Sequence, residues 1–182
     1  MDDNDLMWKI TERKTEHHTP IFDIVRQHET QTNGLEGDYI AIEAPNWVST
    51  IAVVDGCFLV VRQFRHAYGK ITAEFPGGMV DKGEDVVEAA RRELLEETGY
   101  MAKNVTVLGT FSPNPAIFSN RFTICIAEDL EFSGQLHLDN DEFLALSKVP
   151  VEEVLEKFGT GEYINALMGT ALALYRRYIE KM

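Results

Sequence analysis

One stretch of the sequence decides how the rest is interpreted: Gly77-Gly-Met-Val-Asp-Lys-Gly-Glu84-Asp-Val-Val-Glu-Ala-Ala-Arg-Arg92-Glu93-Leu-Leu-Glu96-Glu97-Thr-Gly99-Tyr100. Glycines open it, and a helical pattern follows from about residue 85 to residue 98. Gly99 closes that helix, because glycine readily adopts the left-handed conformation found at helix C-termini. On a helix, Glu93, Glu96 and Glu97 stand at positions i, i+3 and i+4, so their carboxylates project from one strip. The sequence therefore predicts a glycine-rich loop followed by a helix with one acidic strip.

The acidic strip has the composition of a site for a hard divalent cation. Three carboxylates this close repel one another when ionised, and a bound Mg²⁺ or Mn²⁺ ion relieves that repulsion. The alternative is a solvated acidic helix face, which is the usual meaning of a run of charges. Two neighbours favour the metal site. Arg92 can hold a glutamate in place, and the approach Phe75-Pro-Gly-Gly78 brings a backbone carbonyl towards the same helix.

The spacing of this segment resembles the signature box of the Nudix hydrolase family, at Gly78, Glu84, Arg92, Glu93, Leu94, Glu96, Glu97 and Gly99. Tyr100 departs from the pattern, since the family usually has an aliphatic residue there. The resemblance implies an α+β fold, the Nudix α/β/α sandwich with a mixed sheet. It also implies metal-dependent hydrolysis of a nucleoside diphosphate linked to another group. By position, the implied metal ligands are the Gly77 carbonyl, Glu93, Glu96 and Glu97, whereas Arg92 and Glu84 resemble a supporting salt bridge.

Three features outside the box resemble the ADP-ribose pyrophosphatase branch, whose members cleave ADP-sugars to AMP and a sugar phosphate. They are a run of N-terminal strands, Arg62-Gln-Phe-Arg65 ahead of Glu74-Phe-Pro-Gly-Gly78, and Ser112-Pro-Asn-Pro115. The resemblance implies that Arg65, Glu74 and Pro115 contact the substrate, with Arg121 a weaker candidate. Gly77 departs from the pattern of this branch, whose members more often have alanine at the equivalent position. The alternatives are a nucleoside triphosphate, a GDP-sugar or a dinucleoside polyphosphate as substrate, or a non-catalytic metabolite sensor.

The general base is assigned to a late acidic segment, His137-Leu-Asp-Asn-Asp-Glu142. Glu93 and Glu96 are also candidate catalytic residues. A carboxylate that binds a cation is a poor proton acceptor, so a further acidic residue is needed to take the proton from the attacking water. Members of the ADP-ribose branch often place it on a late loop. Glu142 is the first choice, followed by Asp141 and Asp139. The alternative interpretation is a plain acidic turn.

Hydrophobic periodicity in the rest of the chain predicts strands interleaved with helices. The strands are expected at residues 6–14, 20–29, 38–44, 48–54, 57–64, 72–75, 105–111, 121–128 and 142–146, and further helices from Pro150 and over 164–179. Asp55-Gly56 predicts a two-residue hairpin turn. His17-His18 is interpreted as a polar loop. We expect an N-terminal strand region at residues 1–46 and a Nudix domain at 47–182. The apolar side of strand 38–44 favours a homodimer.

Composition narrows the class of protein further. The chain has 182 residues, 45% of them hydrophobic, and a formal net charge of −13. Strong negative charge argues against a broad nucleic-acid-binding surface. The cysteines Cys57 and Cys125 lie in apolar stretches and are expected to be buried thiols, which favours a reducing compartment. No signal peptide and no apolar run of about 20 residues is visible. The expectation is a cytoplasmic enzyme acting on a small nucleotide, without membrane or nucleic-acid partners.

Overall fold

The computed structural model describes residues 3–134 and 143–181 and arranges them in two compact units. The first unit comprises the chain up to Pro45 together with Ser112–Arg121. The second comprises Asn46–Phe111 and the residues from Phe122 onward. A compact unit is not by itself an independently folding domain. The division of the chain near residue 46 therefore stays a prediction.

The first unit is built on a three-stranded antiparallel sheet. A short 3₁₀ helix at Asp3–Leu6 precedes strands β1 (Trp8–His18), β2 (Asp23–Gln31) and β3 (Glu36–Glu43), which are hydrogen-bonded in that order. The segment Ser112–Arg121 joins this unit through β3, because the Ile42 N–H donates to the Ile117 carbonyl at 2.7 Å. The Ser119 N–H in turn donates to the Ile42 carbonyl at 3.1 Å.

The interpretation of His17-His18 as a loop was wrong. Both residues belong to β1, and His18 lies opposite Asp23 in the register of β1 with β2. The His18 Nδ1 is 2.9 Å from the Asp23 Oδ1. The strand continues through these polar residues because its ladder to β2 supplies their backbone partners. Hydrophobic patterning could not show this, since nearly every residue of β1 is exposed.

The second unit contains a mixed sheet, as the sequence predicts. Its strands are β4 (Trp47–Val54), β5 (Cys57–Arg65), β6 (Lys70–Glu74), β7 (Tyr100–Phe111), β8 (Phe122–Phe132) and β9 (Leu144–Pro150). They run in the order β6-β5-β4-β8-β7, and β9 pairs with β5. Strands β4 and β8 are parallel, whereas the other pairs are antiparallel. The hairpin at Asp55-Gly56 is confirmed, and both residues have positive φ, 53° and 75°, as this kind of turn requires.

In the described part of the chain, three helices cover the two faces of this sheet: α1 (Val86–Thr98), α2 (Val151–Lys157) and α3 (Ala166–Ile179). Neighbouring strand residues point to opposite faces, and the core divides accordingly. One part packs strand residues against α2 and α3, and includes Ile51, Phe58, Val60, Ile124, Val154, Ala171 and Leu172. The other packs strand residues against α1, and includes Val48, Ala52, Leu59, Cys125, Ala127, Ala89, Ala90 and Leu94. This is the expected α/β/α sandwich.

Two further expectations concern the cysteines and the hydropathy of the helices. Cys57 and Cys125 are free thiols in strands, and Cys125 is fully buried, as predicted. The expectation that Cys57 is also buried was wrong, because this residue follows the exposed turn Asp55-Gly56 and is only partly covered. Burial raises the pKa of the Cys125 thiol to about 12, which keeps it protonated and unreactive. Within the described ranges, none of the helices has both the length and the hydropathy that crossing a bilayer requires.

Candidate active site

Helix α1 is fixed at both ends by capping interactions that its sequence supplies. The Asp85 Oδ1 accepts a hydrogen bond from the Val87 N–H at 2.9 Å, which is an N-cap. Gly99 has a φ of 72°, and its N–H donates to the Leu95 carbonyl. With these limits Glu93 and Glu97 face inward on successive turns, and their residues are only 8% and 2% exposed. Two buried carboxylates one turn apart require polar partners.

The loop before α1 lies against strand β4 and supplies one of those partners. The Thr50 N–H donates to the Pro76 carbonyl at 2.8 Å, and the Val48 N–H donates to the Gly78 carbonyl at 2.9 Å. Between them, the Gly77 N–H donates to Glu97 Oε2 at 2.8 Å. A Cβ at Gly77 would overlap the Val48 carbonyl, so this approach requires glycine.

Gly78 brings the same loop into contact with Glu93. A Cβ on Gly78 would lie 2.5 Å from Glu93 Oε1 and 2.7 Å from its carboxyl carbon. The backbone and the carboxylate therefore meet with no room for a side chain between them. Gly77 and Gly78 together place loop backbone beside two carboxylates of the acidic strip.

Arg92 ties the acidic strip to the loop. Its guanidinium donates to both Glu84 oxygens, at 2.9 and 3.0 Å, and to the Met79 carbonyl at 3.0 Å. The same group donates to Glu93 Oε1 at 2.8 Å and to Glu96 Oε2 at 3.1 Å. The Arg92 hydrogen bonds lower the pKa of Glu84, and the reciprocal contacts raise the pKa of Arg92. Arg92 thus lies among the box glutamates, as the sequence interpretation requires of a supporting residue.

The donor set suits a hard divalent cation. Among residues 3–134 and 143–181, no three acidic, histidine or cysteine side chains are placed so that they could hold a metal ion together. Mg²⁺ does not need such a group of three side chains, because it keeps several waters and takes one or two carboxylates. Glu93, Glu96 and Glu97 offer carboxylate oxygens, and Gly77 offers a peptide carbonyl. An all-oxygen set of this kind fits Mg²⁺ or Mn²⁺.

Two of the expected substrate contacts, Arg65 and Glu74, are paired with each other. The Arg65 guanidinium donates to both Glu74 oxygens, at 2.8 and 2.6 Å, and the Thr72 hydroxyl donates to Glu74 Oε1 at 2.6 Å. Burial opposes the ionisation of Glu74, but these hydrogen bonds outweigh it and lower its pKa. Arg65 lies at the end of β5 and Glu74 at the end of the neighbouring strand β6, so Glu74 sets the orientation of Arg65.

The remaining candidates are distributed elsewhere. Pro115 and Arg121 belong to the segment Ser112–Arg121 of the first unit. Glu142, Asp141 and Asp139 lie outside the described residues, so the choice of general base stays a prediction.

Thr50 is one residue that the sequence interpretation missed. It is fully buried in β4, and its Oγ1 donates to the Ala90 carbonyl of α1 at 3.3 Å. The only signal in the sequence was a hydroxyl side chain at residue 50, where the alternation of the strand places it on the same face as the apolar residues Val48 and Ala52. A single threonine in an apolar strand is too common to have stood out.

An acidic helix docked through a glycine loop onto a mixed α/β/α sandwich defines the class of this protein. Residues 45–167 match the family model of the NUDIX domain, and the chain belongs to the Nudix family. It is a Nudix pyrophosphohydrolase, an enzyme class that acts on small nucleotides with a divalent metal ion.

Similar proteins of known activity include two bacterial enzymes. The chain is 32% identical over 142 residues to an ADP-ribose pyrophosphatase of Bacillus subtilis (strain 168), covering 77% of each chain. It is 29% identical over 151 residues to the ADP compounds hydrolase NudE of Escherichia coli (strain K12), covering 82% of this chain and 81% of that enzyme. A crystal structure of an ADP compounds hydrolase superposes with a TM-score of 0.85 at 26% identity, covering 96% and 95% of the two chains.

Proposed function

We propose that this enzyme hydrolyses the pyrophosphate bond of ADP-ribose or a similar ADP-sugar, giving AMP and a sugar phosphate. Two similar enzymes are named for ADP-ribose or ADP compounds, and a similar fold belongs to an ADP compounds hydrolase. One structural observation carries the catalytic part of the proposal: the contact of Gly77 and Gly78 with Glu97 and Glu93.

In this proposal the Gly77 carbonyl, Glu93, Glu96 and Glu97 hold Mg²⁺, with Mn²⁺ as the alternative. The cation supplies charge neutralisation of the diphosphate, whose negative oxygens otherwise repel a nucleophile. Arg92 contacts Glu93 and Glu96 and holds their carboxylates in place. Buried Glu97 is oriented by the Gly77 N–H, so this ligand and the backbone beside it are fixed before substrate binds.

The substrate and the attacking water are assigned to residues outside the box. Arg65 contacts a phosphate or ribose oxygen, and Glu74 supports it by holding the guanidinium with two hydrogen bonds. Pro115 is a further substrate contact. Glu142 accepts the proton of the attacking water. These four roles extend the resemblance to the ADP-ribose branch.

The proposal includes a homodimer formed in part by residues 6–44. Large apolar side chains are exposed in this part of the chain: Leu6, Met7, Ile10, Leu35 and Ile40 are between 45% and 63% exposed. Symmetric association of two copies would cover such side chains. The free thiols Cys57 and Cys125 support a cytoplasmic location, where a reducing environment keeps cysteines as thiols.

A substrate panel tests the proposal. Purified enzyme is incubated with ADP-ribose, a GDP-sugar, a dinucleoside polyphosphate and a nucleoside triphosphate, with Mg²⁺ or with excess EDTA, and the mononucleotide and phosphate products are quantified. We expect AMP from ADP-ribose with the highest kcat/KM of the panel, and no product in EDTA. A preference of tenfold or more for another substrate would replace the proposed one. Binding without hydrolysis of any substrate would indicate a metabolite sensor.

A further inference from the structure

Thr50 contacts both segments that carry the proposed metal ligands. Its backbone N–H donates to the Pro76 carbonyl, next to Gly77, at 2.8 Å. Its side-chain hydroxyl donates to the Ala90 carbonyl in helix α1 at 3.3 Å. The residue is fully buried, so neither bond competes with solvent. One strand residue therefore links the glycine loop to the acidic helix.

Ala90, whose carbonyl accepts the bond from Thr50, lies on the same side of α1 as the proposed metal ligands. Ala90, Glu93 and Glu97 stand at i, i+3 and i+7, so they lie along one strip of α1. Ala90 is fully buried, and its small side chain allows the helix backbone to approach β4 closely. A bond to the Ala90 carbonyl therefore fixes the strip that also carries Glu93 and Glu97.

Packing alone does not require a hydroxyl at this point. The neighbours of Thr50 on the α1 side of β4, Val48 and Ala52, are apolar and buried. Valine has nearly the same shape as threonine, so an apolar residue would fill the space. Within an α-helix the Ala90 carbonyl already accepts from the N–H four residues on. The bond from Thr50 is thus an addition to a carbonyl that the helix itself satisfies.

We propose that Thr50 is a positioning residue for the divalent-metal site, holding Gly77 and the Glu93–Glu97 strip in register through Pro76 and Ala90. The inference rests on the metal-ligand roles proposed above. Side chains that hydrogen-bond directly to metal ligands typically change metal affinity 10- to 100-fold when they are removed. Thr50 stands one contact further away, since its hydroxyl bonds to the backbone of the ligand-bearing helix. Thr50 acts through the ligands and needs no contact with substrate.

The test compares Mn²⁺ binding by full-length variants, measured by electron paramagnetic resonance of free Mn²⁺. Thr50→Val removes the hydroxyl and keeps the shape, whereas Thr50→Ser keeps the hydroxyl. Thr123→Val is the matched control, because the Thr123 hydroxyl is buried in the next strand and pairs with Thr110 at 3.0 Å. We expect Thr50→Val to raise the Kd for Mn²⁺ about tenfold, the low end of the range for direct partners of metal ligands. Thr50→Ser and Thr123→Val should stay within about threefold of wild type.

Thermal unfolding with and without Mn²⁺ supplies a second measurement, and Thr50→Ala replaces Thr50→Val if the valine variant does not fold. Equal Mn²⁺ affinity in Thr50→Val and wild type would overturn the role of Thr50 and leave the metal site intact. Equal weakening in Thr50→Val and Thr50→Ser would assign the effect to packing and would also overturn it. Absence of Mn²⁺ binding by wild type would instead overturn the proposed ligand set, and with it this inference.

Discussion

Glu74 is a buried carboxylate whose ionised form is stabilised by Arg65 and Thr72. Its pKa lies below the ordinary value of 4.5, despite burial. A carboxylate whose pKa is lowered by folding contributes stability that is fully present above the unfolded-state pKa. That contribution is lost as the pH falls through the folded-state pKa. Glu74 therefore stabilises the protein at neutral pH and ceases to do so in acid.

We predict that Glu74→Gln lowers Tm at pH 7 and flattens the decline of Tm below about pH 4.5, because glutamine has no ionised state to lose. Differential scanning calorimetry from pH 3 to pH 7 measures both effects. Glu88→Gln is the control, since Glu88 is exposed on α1 and pairs with Arg91. Parallel curves for wild type and Glu74→Gln would contradict the prediction.

Glu142 carries the prediction for the general base. If its carboxylate takes the proton of the attacking water, Glu142→Gln should lower kcat by about 10²–10⁴ with little change in KM. The acidic limb of the pH–rate profile should flatten as well. Steady-state kinetics of Glu142→Gln, Asp141→Asn and Glu96→Gln separates the candidates. A loss below tenfold in Glu142→Gln, with a far larger loss in another variant, would assign the role there.

For individual residues, the sequence predicts the identities of the box residues and, through the resemblance, the pairing of Arg92 with Glu84, but not the partner of Glu97. Helical spacing is enough to bring Glu93, Glu96 and Glu97 onto one strip. The bond between Glu97 and the Gly77 N–H depends on how the loop packs against β4, and spacing carries no information about that. The pairing of Arg65 with Glu74 was missed for the same reason, because it requires the register of β5 with β6.

The loop at residues 75–78 and helix α1 act as one unit because Gly78 touches Glu93. The atoms that a Cβ would meet belong to the end of a flexible side chain, so that side chain can move aside at small cost in stability. We predict that Gly78→Ala lowers kcat at least about tenfold while changing Tm by only a few degrees. Activity assays and calorimetry measure the two effects.

Gly83→Ala is the control for the Gly78 prediction. Gly83 has a φ of 87°, and no atom lies within 4 Å of the position that a Cβ would take there. Alanine at residue 83 therefore introduces backbone strain but no collision with the site. We expect a lower Tm with kcat near wild type. If Gly78→Ala behaved like Gly83→Ala, the contact with Glu93 would have no part in catalysis.

Strong local signals explain which elements were predicted well. The turn at Asp55-Gly56 and the end of α1 at Gly99 are set by neighbouring residues, and both predictions were confirmed. The start of β7 was missed, because this strand begins at Tyr100, directly after the helix, and not near residue 105. Its first residues include the polar Lys103 and Asn104, which break the hydrophobic pattern. Residues on either side of Lys103 pair with β8, and Asn104 lies opposite Glu128, more than twenty residues away.

Contacts between segments that are far apart in the sequence are the least predictable property of the whole molecule. The α/β/α sandwich follows from the order of the strands and helices together with the resemblance to the family. The union of Ser112–Arg121 with the N-terminal strands does not, because it depends on hydrogen bonds between Ile42 and residues 117 and 119. Local patterning contains no trace of contacts across that length of chain.

A homodimer is the prediction at the scale of the whole molecule. Exposed Leu6, Met7 and Ile10 in the N-terminal region give two copies a surface to bury. Light scattering at micromolar concentration should give about twice the chain mass of 20.6 kDa. Substitution of Met7 and Ile10 by lysine should shift the mass towards one chain, whereas Lys148→Ala, far along the sequence in β9, should not. A single-chain mass for wild type would contradict the dimer.

The most direct test of the central claim is the kcat of ADP-ribose hydrolysis in Mg²⁺ for wild type, Glu93→Gln, Glu97→Gln and Glu88→Gln. All three changes replace a carboxylate of α1 by its amide, but only Glu93 and Glu97 face the glycine loop. We predict that Glu93→Gln and Glu97→Gln each lower kcat by at least about 10² with folded protein retained, and that Glu88→Gln does not. Near-normal kcat in the Glu93→Gln, Glu97→Gln double variant, or full activity of wild type in excess EDTA, would contradict the claim.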